Sequence, residues 1–379
     1  MITLSSPILI TGAAGFVGKN LVETLKAAGY ENLLCFDISD TPETLKDYCA
    51  RAEFVIHLAG VNRPTDPAEF YTGNAGLTDT LLAWLEQANN PAPVLVTSST
   101  QAELDNDYGK SKRQAEDAIF EHGERTGAQV YVFRMPGVFG KWCRPNYNSV
   151  VATFCHNIAN DLPIQVRDPN YEFPLVYIDD VVQCIRDAME QGVVMADRGV
   201  RPICRMHPVH TVTLGFLAET IQSFPEGRKT LATPYLAEGS IEKKLYSTYL
   251  SYLPKNAFSY PLKMNVDNRG SFTEILRSPE RGQVSVNHIK PGIVKGNHWH
   301  NTKNEKYLVV HGQCTTRLRK VGTDEVIEYV TSGDKLEVID IPTGYTHNIE
   351  NTGTETAAVV MWVNEPFDPE HPDTIFLKV

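Results

Sequence analysis

From residue 7 to about 190, short apolar runs alternate with amphipathic stretches. "PILITG" (7–12) precedes "KNLVETLKAAG" (19–29), and "NLLCFD" (32–37) precedes "PETLKDYCARA" (42–52). "FVIHLAG" (54–60) precedes a helical pattern around "GLTDTLLAWLEQA" (76–88), and "PVLVTSS" (93–99) precedes one over 108–126 that leads to "VYVFRM" (130–135). Apolar strands alternating with helical segments predict a parallel sheet covered on both faces, an α/β Rossmann-like doubly wound fold. After about residue 260 the period changes. "GQVSVNHI" (282–289), "KYLVVHGQCTTRLRKV" (306–321), "EVIEYVTSGD" (325–334), "KLEVIDIPTG" (335–344) and "TAAVVMWVNE" (356–365) read as strands divided by turn residues. That pattern predicts an antiparallel sandwich or barrel. The change falls in "YSTYLSYLPKNAFSYP" (246–260), whose aromatics suit docking better than a free linker, and sets expected domains of 1–248 and 249–379.

Composition narrows the function classes. With 379 residues and 42% hydrophobic positions the chain can bury two cores. A net charge of −11 and the lack of a basic run exclude nucleic acid as a partner, while leaving room for a nucleotide substrate held by local cations. "MITLSSPILITG" carries no signal-peptide pattern, and no apolar run is long enough to span a membrane. Seven cysteines without a CxxC pair read as reduced thiols of a cytoplasmic protein.

Two constellations carry chemistry. In "ITGAAGFVG" (10–18), Gly12, Gly15 and Gly18 lie directly between a strand and a helix, with Phe16 and Val17 opening the helix. Glycine at these points permits a tight turn, close approach to a pyrophosphate, and close helix packing. The free N–H groups of the helix N-terminus face the phosphates. Asp37 ends the second strand, where a carboxylate accepts from the adenine ribose 2′-hydroxyl and favours NAD(H); turned to solvent, with Lys19 or Arg63 offsetting its charge, it leaves NADP(H) open. Tyr108 and Lys112 in "YGKSK" share one helix face, where an ammonium lowers a phenol's pKa and makes it a proton donor to a ketone. Ser98, Ser99 and Thr100 end the preceding strand and offer a hydroxyl to the same oxygen.

The second constellation is "GIVKGNHWHNTKNEKYLVVHG" (292–312) with "PTGYTHNIEN" (342–351). His298 and His300 point to one side of a strand, and Glu305 and His347 are expected from neighbouring strands. Three imidazoles and a carboxylate suit zinc or another divalent first-row metal. Four ligands also fill a closed structural site, so a catalytic and a structural metal both stay open.

The N-terminal motifs resemble the extended short-chain dehydrogenase/reductase family over residues 5–245. That resemblance implies Ser99, Tyr108 and Lys112 as catalytic residues and places Leu58, Ala59 and Gly60 of "HLAG" along the cofactor. "RMPGVFG" (134–140) and "VYIDDVV" (176–182) resemble segments around a nucleotide-sugar pocket, in which Arg63, Lys141, Arg144 and Asn146 can meet a diphosphate or form a solvated loop. Residues 262–379 resemble the cupin superfamily, and "NVDNRGSFTEI" (265–275) is similar to a stretch of cupin-fold sugar 3,5-epimerases, which act on nucleotide-linked 4-keto sugars. Lys295, Tyr345 and His311 are candidates for the epimerase base.

The pairing has a chemical logic. A site that polarises the ketone favours an enolate and allows inversion of the adjacent carbon. Hydride delivery then fixes the result. "HLAGVNRP" (57–64), "FGKWCRPNYNSV" (139–150), "LYSTYLSYLP" (245–254), "KGNHWHNTKNEK" (295–306) and "SGDKLEVIDIPTGYTHNIEN" (332–351) resemble the bifunctional capsular polysaccharide enzymes of the CapF type. This resemblance implies a zinc-holding cupin domain that inverts C3 of a UDP-linked 2-acetamido-2,6-dideoxy-4-hexulose. An NADPH-dependent domain then reduces C4 to UDP-2-acetamido-2,6-dideoxy-L-talose, in a homodimer. An alternative leaves catalysis to the reductase alone, with the cupin half a dimerisation and docking module. A metal-dependent dioxygenase is a third reading.

Overall fold

The computed structural model describes residues 2–192, 201–278 and 280–379. The chain forms two compact units, one of Met1–Gln222 with Gly239–Leu253, the other of Ser223–Glu238 with Pro254–Val379.

The first unit is built on five parallel strands, β1 (Ile8–Thr11), β2 (Leu33–Phe36), β3 (Phe54–His57), β4 (Val94–Ser99) and β5 (Val130–Met135), in the order β2-β1-β3-β4-β5. These are the strands the apolar runs predict, and they are buried on both faces, as a sheet sandwiched between helices requires. Successive residues serve opposite cores: Ile8 and Ile10 join Leu21, Leu25 and Val181, whereas Leu9 joins Leu45, Leu81 and Ile119. The order reverses between β1 and β3, which opens a crevice at their carboxyl ends. The helix Asp107–Thr126 carries the Tyr108–Lys112 pair; Asn106 caps its start by accepting from Gly109 N–H at 2.7 Å, and Gly127, at φ 75°, ends it. A smaller sheet, β6 (Gly137–Phe139), β7 (Glu172–Tyr177) and β8 (His210–Thr213), completes the unit. Tyr249 and Tyr252 of the aromatic segment belong here; Tyr249 is buried and the Tyr252 hydroxyl donates to Cys143 O.

The second unit is all-β. Its strands are β9 (Met264–Asp267), β10 (Gly270–Ser278), β11 (Gly282–Ile289), β12 (Val294–Trp299), β13 (Glu305–His311), β14 (Gln313–Lys320), β15 (Val326–Ser332), β16 (Val338–Ile341), β17 (Tyr345–Asn351), β18 (Ala357–Val363) and β19 (Ile375–Phe376). They form two antiparallel sheets, β16-β13-β18-β11-β10-β9 and β15-β14-β17-β12-β19. Strands that pass back and forth between two layers give the jelly-roll arrangement. One core fills the space between the sheets, with Ile289, Tyr307, Val309, Ile341 and Val359 from one and Cys314, Leu318 and Ile349 from the other. Residues 231–233 also join this unit: Arg277 N–H donates to Leu231 O at 2.8 Å and Thr233 N–H to Arg277 O at 2.9 Å.

Candidate functional site

The glycine loop forms at the β1–β3 crevice. Gly12 has φ 70°, and a Cβ there would lie 2.8 Å from Ala59 N, so β1 and the "HLAG" turn meet only through glycine. A Cβ on Gly18 would lie 2.1 Å from Gly12 O, which pins the helix Phe16–Ala27 against the loop. Gly15 is that helix's N-cap and offers no side-chain cap, leaving its first N–H groups directed at the crevice. Phe16, Val17 and Leu58 pack against the core beneath.

Asp37 is folded onto the loop, not turned to solvent. Its carboxylate accepts from Ala14 N–H at 2.7 Å and from Ile38 N–H at 2.8 Å. A second carboxylate is adjacent, since Asp40 accepts from Asp37 N–H at 2.7 Å. The two cations considered as offsets are engaged elsewhere: Lys19 Nζ is 5.0 Å from the Trp142 ring centre, and the Arg63 guanidinium 6.0 Å from that of Tyr147.

Tyr108 and Ser99 converge at the carboxyl end of β4. The Tyr108 hydroxyl donates to Asn62 Oδ1 at 3.0 Å, and its ring packs against Phe70 at 5.5 Å. Burial raises the Tyr108 pKa, and hydrogen bonding to Ser99 offsets part of that rise. This corrects the expectation that Lys112 lowers it. Lys112 is buried and donates from Nζ to Thr97 O at 3.1 Å, which fixes its ammonium at the sheet end; burial pulls its pKa down to about 8. Ser98 points into the interior with its hydroxyl unpartnered, whereas Ser99 stays half-buried at the site. Asn62 lies within the quoted "HLAGVNRP", yet no spacing rule singles it out as the phenol's partner.

Arg63, Asn146 and Tyr147 line a cleft of about 510 Å³ beside Val138, Phe173 and Leu175. The Arg144 guanidinium is 5.0 Å from the Tyr147 ring centre, so two arginines meet one aromatic ring. Lys141 is not part of this group; it pairs with Asp179.

In the sandwich, His298, His300, Glu305 and His347 each present a ligand atom within 4.8 Å of the others. His298 and His347 are paired across β12 and β17. Glu305 comes from the facing sheet, on β13, so it is not on a strand neighbouring His347. A bulge at Gly296–His298 turns the β12 end inward, and His300 lies just past the strand. Burial, reinforced by His347, lowers the His298 pKa to about 4 and keeps that ring neutral at pH 7. Burial acts to raise the Glu305 pKa, but hydrogen bonding and charge from His347 and His300 hold it below the ordinary value. The Nε2 atoms of His300 and His347 are buried without an aligned hydrogen bond, although His347 Nε2 is 2.9 Å from Glu305 Oε2. Ligand atoms so close yet not aligned on one another fit a shared central cation.

Partners behind these ligands orient them. Tyr307 donates to Glu305 Oε2 at 2.9 Å, and His347 Nδ1–H can donate to Tyr345 O at 3.3 Å. The base candidates separate. His311 lies at the far end of β13, six residues from Glu305 and about 20 Å away. Lys295 Nζ donates to Ser271 O, Asn287 Oδ1 and His288 O at 3.1–3.3 Å, so its protons are committed to holding β10 and β11. Tyr345 shares the strand face of His347 and stays half-buried.

These geometries have relatives. The sequence profile of the NAD dependent epimerase/dehydratase family matches residues 8–198, and that of the polysaccharide biosynthesis C-terminal domain matches residues 265–375. A curated relative from Pseudomonas aeruginosa, UDP-2-acetamido-2,6-beta-L-arabino-hexul-4-ose reductase, is 43% identical over 98% of each chain. The crystal structure of the capsular polysaccharide assembling protein CapF from Staphylococcus aureus is 50% identical, covers 98% of this chain and 100% of its own, and superposes with a TM-score of 0.90. UDP-glucose 4-epimerase of Thermotoga maritima, at 20% identity over 65% of this chain and a TM-score of 0.53, shares the fold. With a dinucleotide crevice, a buried His/Glu cluster and this likeness over nearly its whole length, the chain belongs to the NAD-dependent epimerase/dehydratase family, as a two-unit nucleotide-sugar enzyme of the CapF type.

Proposed function

We propose that the chain epimerises C3 of a UDP-linked 2-acetamido-2,6-dideoxy-4-hexulose in its sandwich unit and then reduces the C4 ketone in its parallel-sheet unit, giving UDP-2-acetamido-2,6-dideoxy-L-talose. The observation that carries the reading is one chain holding Tyr108 and Ser99 at a dinucleotide crevice and a four-ligand cluster in a second unit. The Pseudomonas relative's name supplies the substrate class.

In the reductase half, a nicotinamide held at the glycine loop would supply the hydride for C4. Tyr108 gives its proton to the carbonyl oxygen, and Ser99 holds that oxygen. Lys112, fixed by Thr97, supplies positive charge behind the phenol. Arg63, Arg144 and Asn146, gathered around Tyr147, take the diphosphate. Asp37 accepts from the ribose hydroxyl, and with Asp40 beside it a 2′-phosphate is repelled. NADH is therefore the proposed reductant, against the NADPH implied by the CapF resemblance.

In the sandwich half, His298, His300, Glu305 and His347 would hold zinc, whose chemistry when bound is to polarise a carbonyl. Tyr345 is the candidate left to move the C3 proton. A second reading, in which this metal is structural and the sandwich docks substrate, draws support from the closed set of four protein ligands. A homodimer is proposed through β15, an edge strand exposing Val326, Ile327, Tyr329 and Val330. The seven free thiols support a cytoplasmic setting.

The test incubates the purified protein with the UDP-4-keto sugar in D2O without nicotinamide. Deuterium at C3 supports epimerisation. No incorporation, with reduction intact on adding NADH, leaves the docking reading standing.

A further inference from the structure

The stretch that carries two of the four cluster residues is held by the C-terminal segment. Between His300 and Glu305, the backbone N–H groups of Asn301, Thr302 and Lys303 donate to the Asp373 carboxylate at 2.8–3.2 Å. Asn301 Nδ2 and Thr302 Oγ1 donate to the same carboxylate at 2.9 Å each. The Asp373 carbonyl faces His300 Nδ1, which fixes that proton on Nδ1 and leaves the buried Nε2 free to ligate. Asp373 reaches both positions from an unusual backbone conformation, φ 36°, in which a non-glycine residue persists only when its surroundings over-determine it. The buried Lys303 adds a bond from Nζ to Pro372 O at 2.9 Å. The other flank is tied as well: Leu377 N–H donates to Asn297 O at 2.9 Å, next to His298.

We infer that Asp373 is a positioning residue of the His298–His300–Glu305–His347 centre, setting the separation of His300 and Glu305 through the loop it clamps and the tautomer of His300 through its carbonyl. This rests on the metal-centre reading above. The carboxylate touches neither a cation nor a substrate. It acts by fixing five donors on a six-residue stretch whose two ends are ligands.

The test uses the full chain and cobalt(II) alone as the probe, read by its visible d–d bands and by titration. Wild type is expected to bind one cobalt per chain and His347→Ala none. Asp373→Ala is expected to bind about 10–100-fold more weakly, with altered bands, as loss of a ligand-orienting partner does elsewhere. Asp373→Asn, which keeps one acceptor oxygen, recovers part of that loss and serves as the variant if alanine prevents folding. Arg319→Gln is the control, because the Arg319 guanidinium donates to Lys378 O at 2.6 Å and Thr323 O at 2.7 Å, and not to Asp373 or to residues 300–305; it is expected to leave cobalt binding unchanged. Wild-type affinity and bands in both Asp373 variants, or equal weakening by Arg319→Gln, would overturn the positioning role while leaving the metal centre intact. A wild type that binds no cobalt, or a His347→Ala variant that binds it as well as wild type does, would remove the metal centre itself and the inference with it.

Discussion

In the parallel-sheet unit, Gly12, Asp37, Leu58 and Ser99 sit at or just past the carboxyl ends of four strands, and much of what they offer is backbone shape. In the sandwich unit, the cluster residues project from two facing sheets into a buried centre and offer only side-chain atoms. The first arrangement follows from topology: the strand order reverses beside β1, and the crevice exists before any side chain is specified. The second depends on a few side chains and on the contacts that aim them, such as Tyr307 on Glu305. Substitutions in the glycine loop should therefore act by moving backbone, and substitutions in the cluster by removing a ligand or its support.

The largest expected effect separates the two proposed activities. Tyr108→Phe should lower ketone reduction by roughly 10²–10⁴-fold, the usual worth of a positioned proton donor, while deuterium exchange at C3 continues unchanged. Loss of both together would show that the two halves are not separate catalysts. Next is His347→Ala, which should abolish stoichiometric metal binding and destabilise the sandwich by on the order of several kcal/mol in calorimetry, since metal binding by ordered ligands is folding energy. NADH binding should persist. Asp37→Asn should then shift the NADH:NADPH preference towards NADPH by about tenfold, roughly 1.4 kcal/mol, in paired kcat/KM measurements; an unchanged ratio would place the ribose contact elsewhere.

The smallest effect is in pH. Burial lowers the Lys112 pKa from 10.5 to about 8. Reduction should decline several-fold as the pH rises through 8 and the ammonium is lost. Stability should move the other way. The unfolded chain keeps the lysine protonated up to 10.5, so between about 8 and 10.5 it binds more protons than the folded chain, and raising the pH favours folding. Activity falling without loss of structure is the signature, and C3 exchange in the sandwich provides the internal control.

How much of this was legible in the sequence depended on how local the cause was. The glycine loop, the Tyr108–Lys112 pair and the five parallel strands follow from spacings within one strand, turn or helix, and the structure contains them at the expected positions. The four cluster residues were also legible, because the HxH spacing and the later His-containing turn are themselves unusual. Relations set by packing between distant segments were not. Glu305 lies across the sandwich from His347 because β13 and β17 belong to different sheets. His311 and Glu305, six residues apart, are at opposite ends of one strand. Lys141 is paired with Asp179, thirty-eight residues later, and does not line the cleft of Arg63, Asn146 and Tyr147. The Tyr108 pKa rises because burial outweighs the hydrogen bond to Ser99, while Lys112 is bonded to a carbonyl, and burial cannot be read from an i, i+4 spacing.

The division of the chain into two units has a consequence for biosynthesis. Ser223–Glu238 belongs to the second unit, yet it precedes Gly239–Leu253, which belongs to the first. A growing chain thus presents Thr233 well before its partner Arg277 on β10 has been translated. At about 5–20 residues per second, that interval lasts several seconds. The first unit, for its part, cannot close until residue 253 has left the ribosome. A fragment starting at residue 249 would lack Ser223–Glu238, so expressing the sandwich alone requires that segment to be supplied as well. The order of synthesis interleaves the folding of the two units.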